Sequence, residues 1–204
     1  MKIIGIIPAR MASTRFPGKP LKKICGIPMI GHVYNQAIKA KILDDVYVAT
    51  CDNEIADYIN SIDGNAIMTS MKHKTASDRT SEALDKIEEK NSQKIDIIVM
   101  LQGDEPMIVP DMIEEAVKPM ILDDSINVVN LMAKIESDNE WNDPNEVKVV
   151  FDNQNNALYF SREPIPSGKK YNNKVIAYKQ VCVIPFTRKG LNEYLALNKS
   201  NLEL

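Results

Sequence analysis

Two stretches of this 204-residue chain combine residue types that handle phosphate. The first runs from Arg10 through Ser13, Thr14, Arg15 and Gly18 to Lys19, and spaces its cations among small hydrogen-bonding residues. Guanidinium forks take phosphate oxygens two at a time, and a lysine adds a compact point charge. A solvated basic turn has the same composition, so the stretch alone leaves both readings open. The second is Gln102-Gly103-Asp104-Glu105-Pro106. A carboxylate opposite a polyphosphate suits Mg2+, a hard cation held by one or two carboxylates together with phosphate oxygens. An Asp-Glu turn before a proline is the plain alternative. Arg79, in S-D-R (77–79), is a third candidate. It falls in the first turn of an expected helix, where anions are favoured over cations. Either it faces an anionic or carbonyl-bearing ligand, or it pairs with Asp78 or Glu82.

The elements that must position these groups are apolar and short. Ile3, Ile4, Ile6 and Ile7 read as a strand buried on both faces, closed by Pro8, which has no N–H to give a ladder. Residues 95–101, I-D-I-I-V-M-L, form the most apolar strand, ending in the acidic turn, where Gly103 permits a tight bend. Both candidate stretches thus follow the carboxyl end of a core strand, where open α/β sheets bind ligands. The basic loop matches neither G-x-x-x-x-G-K-[ST] nor G-x-G-x-x-G.

Between and after these strands the periodicity predicts helices over 28–40, 54–62, 75–90, 110–122 and 188–197. It predicts strands over 46–50, 66–69, 126–135, 147–151, 157–160 and 177–185. Asp52 or Asn53 is placed to cap the second helix. Residues 138–145 read as a polar loop containing Trp141, 152–156 (D-N-Q-N-N) as a hairpin turn, and 169–174 as a basic loop. The alternation predicts a doubly wound, mostly parallel α/β sheet within one domain spanning 1–204, with 127–185 as a smaller β-rich section.

A net charge of −3 disfavours a broad nucleic-acid or anionic-membrane surface. No apolar run approaches the roughly 20 residues that span a bilayer, and the N-terminus lacks a signal-peptide pattern. Cys25, Cys51 and Cys182 show no metal-ligand spacing, which fits a reduced, cytoplasmic setting. His32, on the first helix, reads as a structural or surface histidine.

Taken together, residues 6–21, 68–70, His73, 77–79, 101–106, 144–150 and 157–166 resemble the 3-deoxy-manno-octulosonate (Kdo) cytidylyltransferases, or CMP-Kdo synthetases, and follow that family's order. The resemblance implies a Rossmann-like nucleotidyltransferase, usually a homodimer, that uses CTP and Mg2+ to make a CMP-sugar and pyrophosphate. It further implies that Arg10, Ser13, Arg15 and Lys19 hold the triphosphate, that Arg79 with Pro8 and Ala9 meets the cytosine, and that Asp104 is a metal ligand. Gln102 and Arg162 become contacts of the sugar acid. Catalysis would rest on positioning and on charge neutralisation by Mg2+, Arg10, Lys19 and Asp104.

Two departures bear on that expectation. The family's sugar-site His-x-Gly-Ile-Tyr stands here as Q-V-C-V-I (180–184), with Gln180 for the histidine and Cys182 for the glycine. An amino-substituted octulosonate or another acidic sugar is therefore an alternative acceptor. These residues also stop before the family's Gly-Val-Asp-Thr-Pro element, which supplies a second metal-binding aspartate. The expectation for them is impaired turnover with partial nucleotide binding. A catalytically silent nucleotide-binding homologue is the reading from another class.

Overall fold

The computed structural model describes residues 1–12, 16–168, 176–198 and 200–201. In chain order come β1 (Ile3–Ala9), the hairpin strands β2 (Lys23–Ile24) and β3 (Ile27–Pro28), α1 (Met29–Ala37), β4 (Asp45–Thr50) and α2 (Asn53–Ser61). Next are β5 (Asn65–Met68), α3 (Ala76–Asn91), β6 (Ile97–Leu101) and α4 (Pro110–Leu122). Then follow β7 (Leu131–Lys134), α5 (Asp138–Asn142), β8 (Lys148–Phe151), β9 (Ala157–Ser161), β10 (Tyr178–Val181), β11 (Val183–Thr187) and α6 (Arg188–Ala196).

The main sheet has the order β11-β6-β1-β4-β5. Its β6, β1, β4 and β5 run parallel, and β11 lies antiparallel on β6. This is the mostly parallel α/β sheet that the strand–helix alternation predicts. The first strand is central because it is apolar on both faces. Ile4 and Ile6 pack with Leu84 and Ile87 of α3 and Leu191 of α6. The buried residues of α1 stand apart from that cluster, and α1 packs with α4 over the other face. Each such fully buried Ile or Leu contributes about 1.5–3 kcal/mol, so the sheet is a stiff base for whatever its ends carry. Pro8 lies inside β1 and does not close it, because the ladder to β6 has ended at Ile6 while pairing with β4 continues to Ala9. A missing donor costs little where one neighbouring strand has gone.

The chain divides into two compact units, Met1–Val129 with Cys182–Leu204, and Asn130–Val181. Taken by itself, the second is an antiparallel sheet of order β7-β10-β8-β9. Two expected strands are split between the sheets. Within 126–135, Val128 bridges Phe186 of the first unit, whereas Leu131–Lys134 pairs with β10. Within 177–185 the chain leaves β10 at Val181 and enters β11 at Val183. Alternating apolarity reports that a strand is half-buried, not which sheet buries it. The expected loop 138–145 contains α5 instead. The Ser137 hydroxyl accepts the Glu140 N–H at 3.2 Å, and the Glu140 carboxylate accepts the Glu136 N–H at 2.8 Å. Ser137-x-x-Glu140 is close to a capping box, a signal the sequence reading passed over. The expected basic loop 169–174 lies outside the described residues.

Candidate active site

The carboxyl ends of β1 and β6 lie side by side, and their continuations must pass closely. A Cβ on Gly103 would stand 3.1 Å from the Pro8 carbonyl oxygen and 3.2 Å from Ile30 Cδ1. Gly103 therefore eases a close approach of the two continuations, where any side chain would crowd the Pro8 carbonyl and Ile30.

The loop after β1 is tied down at its base. Gly18, left-handed at φ 70°, donates its N–H to the Met11 carbonyl at 3.0 Å. Asp52 Oδ2, beyond β4, accepts the Met11 N–H at 2.8 Å. Asp52 sits at the N-cap position of α2 but makes no side-chain cap there, contrary to expectation, because its carboxylate is used on the loop. A short 3-10 turn, Lys19–Leu21, then aims Lys19 at the other strand end, where its Nζ meets Asp104 Oδ2 at 2.7 Å. Ser13 and Arg15 lie outside the described residues.

The third wall is the entry to α3. The Thr75 hydroxyl accepts the Asp78 N–H at 3.1 Å and donates to Asp78 Oδ2 at 2.6 Å, which fixes the helix start. One turn in, Arg79 is only 3% exposed, and its Nη1 donates to Thr69 Oγ1 at 2.5 Å. Thr69 in turn donates to the Thr50 carbonyl at 3.1 Å. No ion pair to Asp78 or Glu82 forms among the described residues: Asp78 serves Thr75, and Glu82 serves Ser70, His73 and Lys86.

Glu82 anchors the segment leading into this wall. Burial pushes its carboxyl up, but hydrogen bonds from Lys86, the Ser70 N–H and His73 outweigh that and bring it to about 2. A carboxyl lowered on folding stabilises the protein above its unfolded value of 4.5, and that stability is lost as pH falls toward about 2. Glu82→Gln is expected to lower the melting temperature above about pH 5, with the gap from the parent closing between about pH 5 and pH 2. Melting curves across that range check it; a gap that stays constant to pH 2 would rule the account out.

These three walls enclose a cleft of about 230 Å³. Arg10, Lys19, Arg79, Gln102 and Asp104 line it, backed by Pro8 and Ala9. His73, which the resemblance includes without a role, also lines it, as do Lys74 and Thr75, which were not among the expected site residues. Their signal was available: a capped helix start preceded by a histidine and a lysine is a natural anion contact. Arg10, Lys19, Lys74 and Arg79 against Asp104 give the cleft a cationic excess suited to a polyanion. Among the described residues no group of three His, Cys, Asp or Glu is poised for a metal. Asp104 is the carboxylate on the cleft, so a cation there would complete its shell with phosphate oxygens and water, the habit of Mg2+.

Two expected sugar contacts belong to the other unit. Arg162 is exposed, with Nη1 donating to the carbonyls of Pro144 at 2.8 Å and Asn145 at 3.3 Å. Gln180 is half-buried on β10, its N–H on the Val147 carbonyl at 2.8 Å.

The site is thus a cationic cleft at the carboxyl edge of a mostly parallel α/β sheet, and the comparisons narrow the class of protein to which such a cleft belongs. The cytidylyltransferase family model matches residues 4–204. The 3-deoxy-manno-octulosonate cytidylyltransferase of Geobacter metallireducens is 42% identical, over 100% of this chain and 82% of that protein. The enzyme of the same name from Thermodesulfovibrio yellowstonii is 40% identical, over 100% of this chain and 82% of that protein. A solved CMP:2-keto-3-deoxy-manno-octonic acid synthetase complexed with CTP superposes with a TM-score of 0.89 at 38% identity, covering 98% of this chain and 80% of that one. The chain belongs to the cytidylyltransferase family.

Proposed function

We propose that this protein transfers CMP from CTP to the anomeric hydroxyl of Kdo or a close analogue, releasing pyrophosphate. The observation that carries the reading is the cleft itself, which gathers Arg10, Lys19, Arg79, Gln102 and Asp104 from three separate segments. Its cationic excess suits a triphosphate, and membership of the cytidylyltransferase family supports CTP as the donor.

The residues divide the work. Arg10 and Lys19, with Ser13 and Arg15 in the same loop, hold triphosphate oxygens and offset the charge that builds as pyrophosphate leaves. Arg79, with Pro8 and Ala9, meets the cytosine. Gln102 is assigned to orienting the acceptor. In the second unit, Arg162 is assigned to a sugar-acid carboxylate and Gln180 to a further sugar contact. Mg2+, held by Asp104 with phosphate oxygens, supplies Lewis-acid charge neutralisation when bound. In-line attack then needs positioning more than a protein base. The partner of this chain is a second copy: Leu158 and Tyr159 on the edge strand β9 are 67% and 52% exposed, an apolar edge that suits burial in a homodimer. The reaction belongs in the cytoplasm because that is where its donor CTP is available. No described helix is long and apolar enough to cross a membrane.

The test is pyrophosphate release from CTP and Mg2+ with a panel of acidic sugars that includes Kdo and its 8-amino analogue. Release with an octulosonate supports the reading, and preference for the amino sugar would fit the departures at Gln180 and Cys182. CTP binding without release for any sugar would move the protein to the silent homologues.

Asp52 supplies a second check within the same assay. Removing a charged acceptor from the half-buried Met11 N–H costs about 1.5–3 kcal/mol, so Asp52→Ala should raise KM for CTP roughly 10- to 100-fold through a loosened loop. Asp52→Asn keeps an acceptor oxygen for Met11 and should stay within about threefold of the parent. Equal losses in both variants would show that the carboxylate acts by charge, not by anchoring.

A further inference from the structure

Lys148 is the largest fully buried side chain among the described residues. No ion pair joins it to a carboxylate among the described residues; the nearby Glu146 carboxylate is engaged by Lys179 at 3.2 Å. Its ammonium instead donates to three main-chain carbonyls, those of Asp143 at 2.7 Å, Glu146 at 2.9 Å and Arg162 at 2.7 Å. A lysine has three protons, so the set is complete. The Asp143 carboxylate is near enough to feel its charge but forms no ion pair with it. Burying a cation with so little compensation is costly, and a fold that needed only to fill this space would use an apolar side chain.

What the ammonium holds explains its presence. Two of its carbonyls flank the 143–146 turn, and the third belongs to Arg162. The Arg162 guanidinium reaches back to the inner carbonyls of the same turn, Pro144 and Asn145, through Nη1 alone. Lys148 thus fixes the main chain of Arg162 and the turn that receives its side chain as one braced unit. The N–H groups on Nε and Nη2 have no partner among the described residues, and that edge of a guanidinium is the one that grips a carboxylate side-on.

We propose that Lys148 is a positioning residue for sugar-acid recognition: it braces Arg162 so that the Nε/Nη2 edge is presented in one orientation to the carboxylate of the acceptor. The proposal rests on the reading of Arg162 as the acceptor contact. It assigns the buried lysine to acceptor KM, not to nucleotide binding.

The experiment measures KM for Kdo and for CTP in the parent, Lys148→Met, Arg162→Ala and the double variant. Misorienting a bidentate contact costs about 10- to 100-fold, so Lys148→Met should raise KM for Kdo by that factor while KM for CTP stays within about twofold. The double variant should be no worse than Arg162→Ala, because a brace has no value once its arginine is gone. Losses that multiply in the double variant, or a parallel rise in both KM values, would overturn the proposal. An Arg162→Ala enzyme with unchanged KM for Kdo would overturn it by a different route, by removing the reading it rests on. If Lys148→Met does not fold, Lys148→Gln keeps donors for part of the set and should show a smaller rise in the same KM. Failure of both to fold would reduce Lys148 to a stabilising residue and end the proposal.

Discussion

Lys19→Met is expected to lower kcat/KM for CTP by about 10²- to 10³-fold, the loss of roughly 2.7–4 kcal/mol of transition-state stabilisation that follows removal of one preorganised charge. The ammonium stands on the cleft 2.7 Å from Asp104, and the pair is partly exposed, 34% and 47%. Such a pair contributes at most about 1 kcal/mol to folding, so melting should barely change. The two readouts therefore separate, and that separation is the test. Lys19→Arg should not restore the parent rate, because a planar fork cannot replace a compact point charge on the same stem. Pyrophosphate release and melting curves on the parent and both variants are the measurements. A Lys19→Met enzyme within threefold of the parent would remove Lys19 from the triphosphate site.

The pieces of this site that were legible in the sequence are those that depend on neighbours in the chain. Ile3 to Ile7 and the run ending at Leu101 announce buried strands by composition, and a ligand crevice at the carboxyl ends of such strands is a rule of open sheets. Residues just past those ends, Arg10, Lys19 and Asp104, could therefore be named before their distances were known. The helix entry at Thr75 was equally local. Asp52 was read as a local cap, yet its carboxylate is used on Met11, 41 residues away in sequence. Lys148 looked like any strand lysine, and only the convergence of Asp143, Glu146 and Arg162 gives its ammonium a place. Polar contacts that depend on how the chain turns back on itself leave no periodic trace, whether they span 41 residues, as from Asp52 to Met11, or 14, as from Lys148 to Arg162. The same reason explains the split strands: Val128 and Leu131 share one alternating pattern but serve different sheets.

Arg79 combines both kinds of information, and its replacement should separate function from stability. Arg79→Met is expected to weaken CTP binding at least about tenfold, the effect of losing a charge-assisted contact, while melting no lower than the parent. The guanidinium is 3% exposed and is held by Thr69 Oγ1, with no carboxylate partner among the described residues. A buried cation in that state carries a desolvation penalty of several kcal/mol that one hydroxyl offsets only in part. Its position one turn into α3 adds a small unfavourable interaction with the positive end of the helix. Methionine is unbranched and apolar, and it fills much of the same space. The free protein should therefore gain or hold stability when the charge goes, and the ligand complex should lose it. Calorimetric titration with CTP and melting with and without saturating nucleotide measure the two sides independently. A variant that binds CTP as the parent does would make Arg79 a core residue. One that melts several degrees lower in the free state would mean that the guanidinium is already satisfied within the protein, and that its burial was never held open for a ligand.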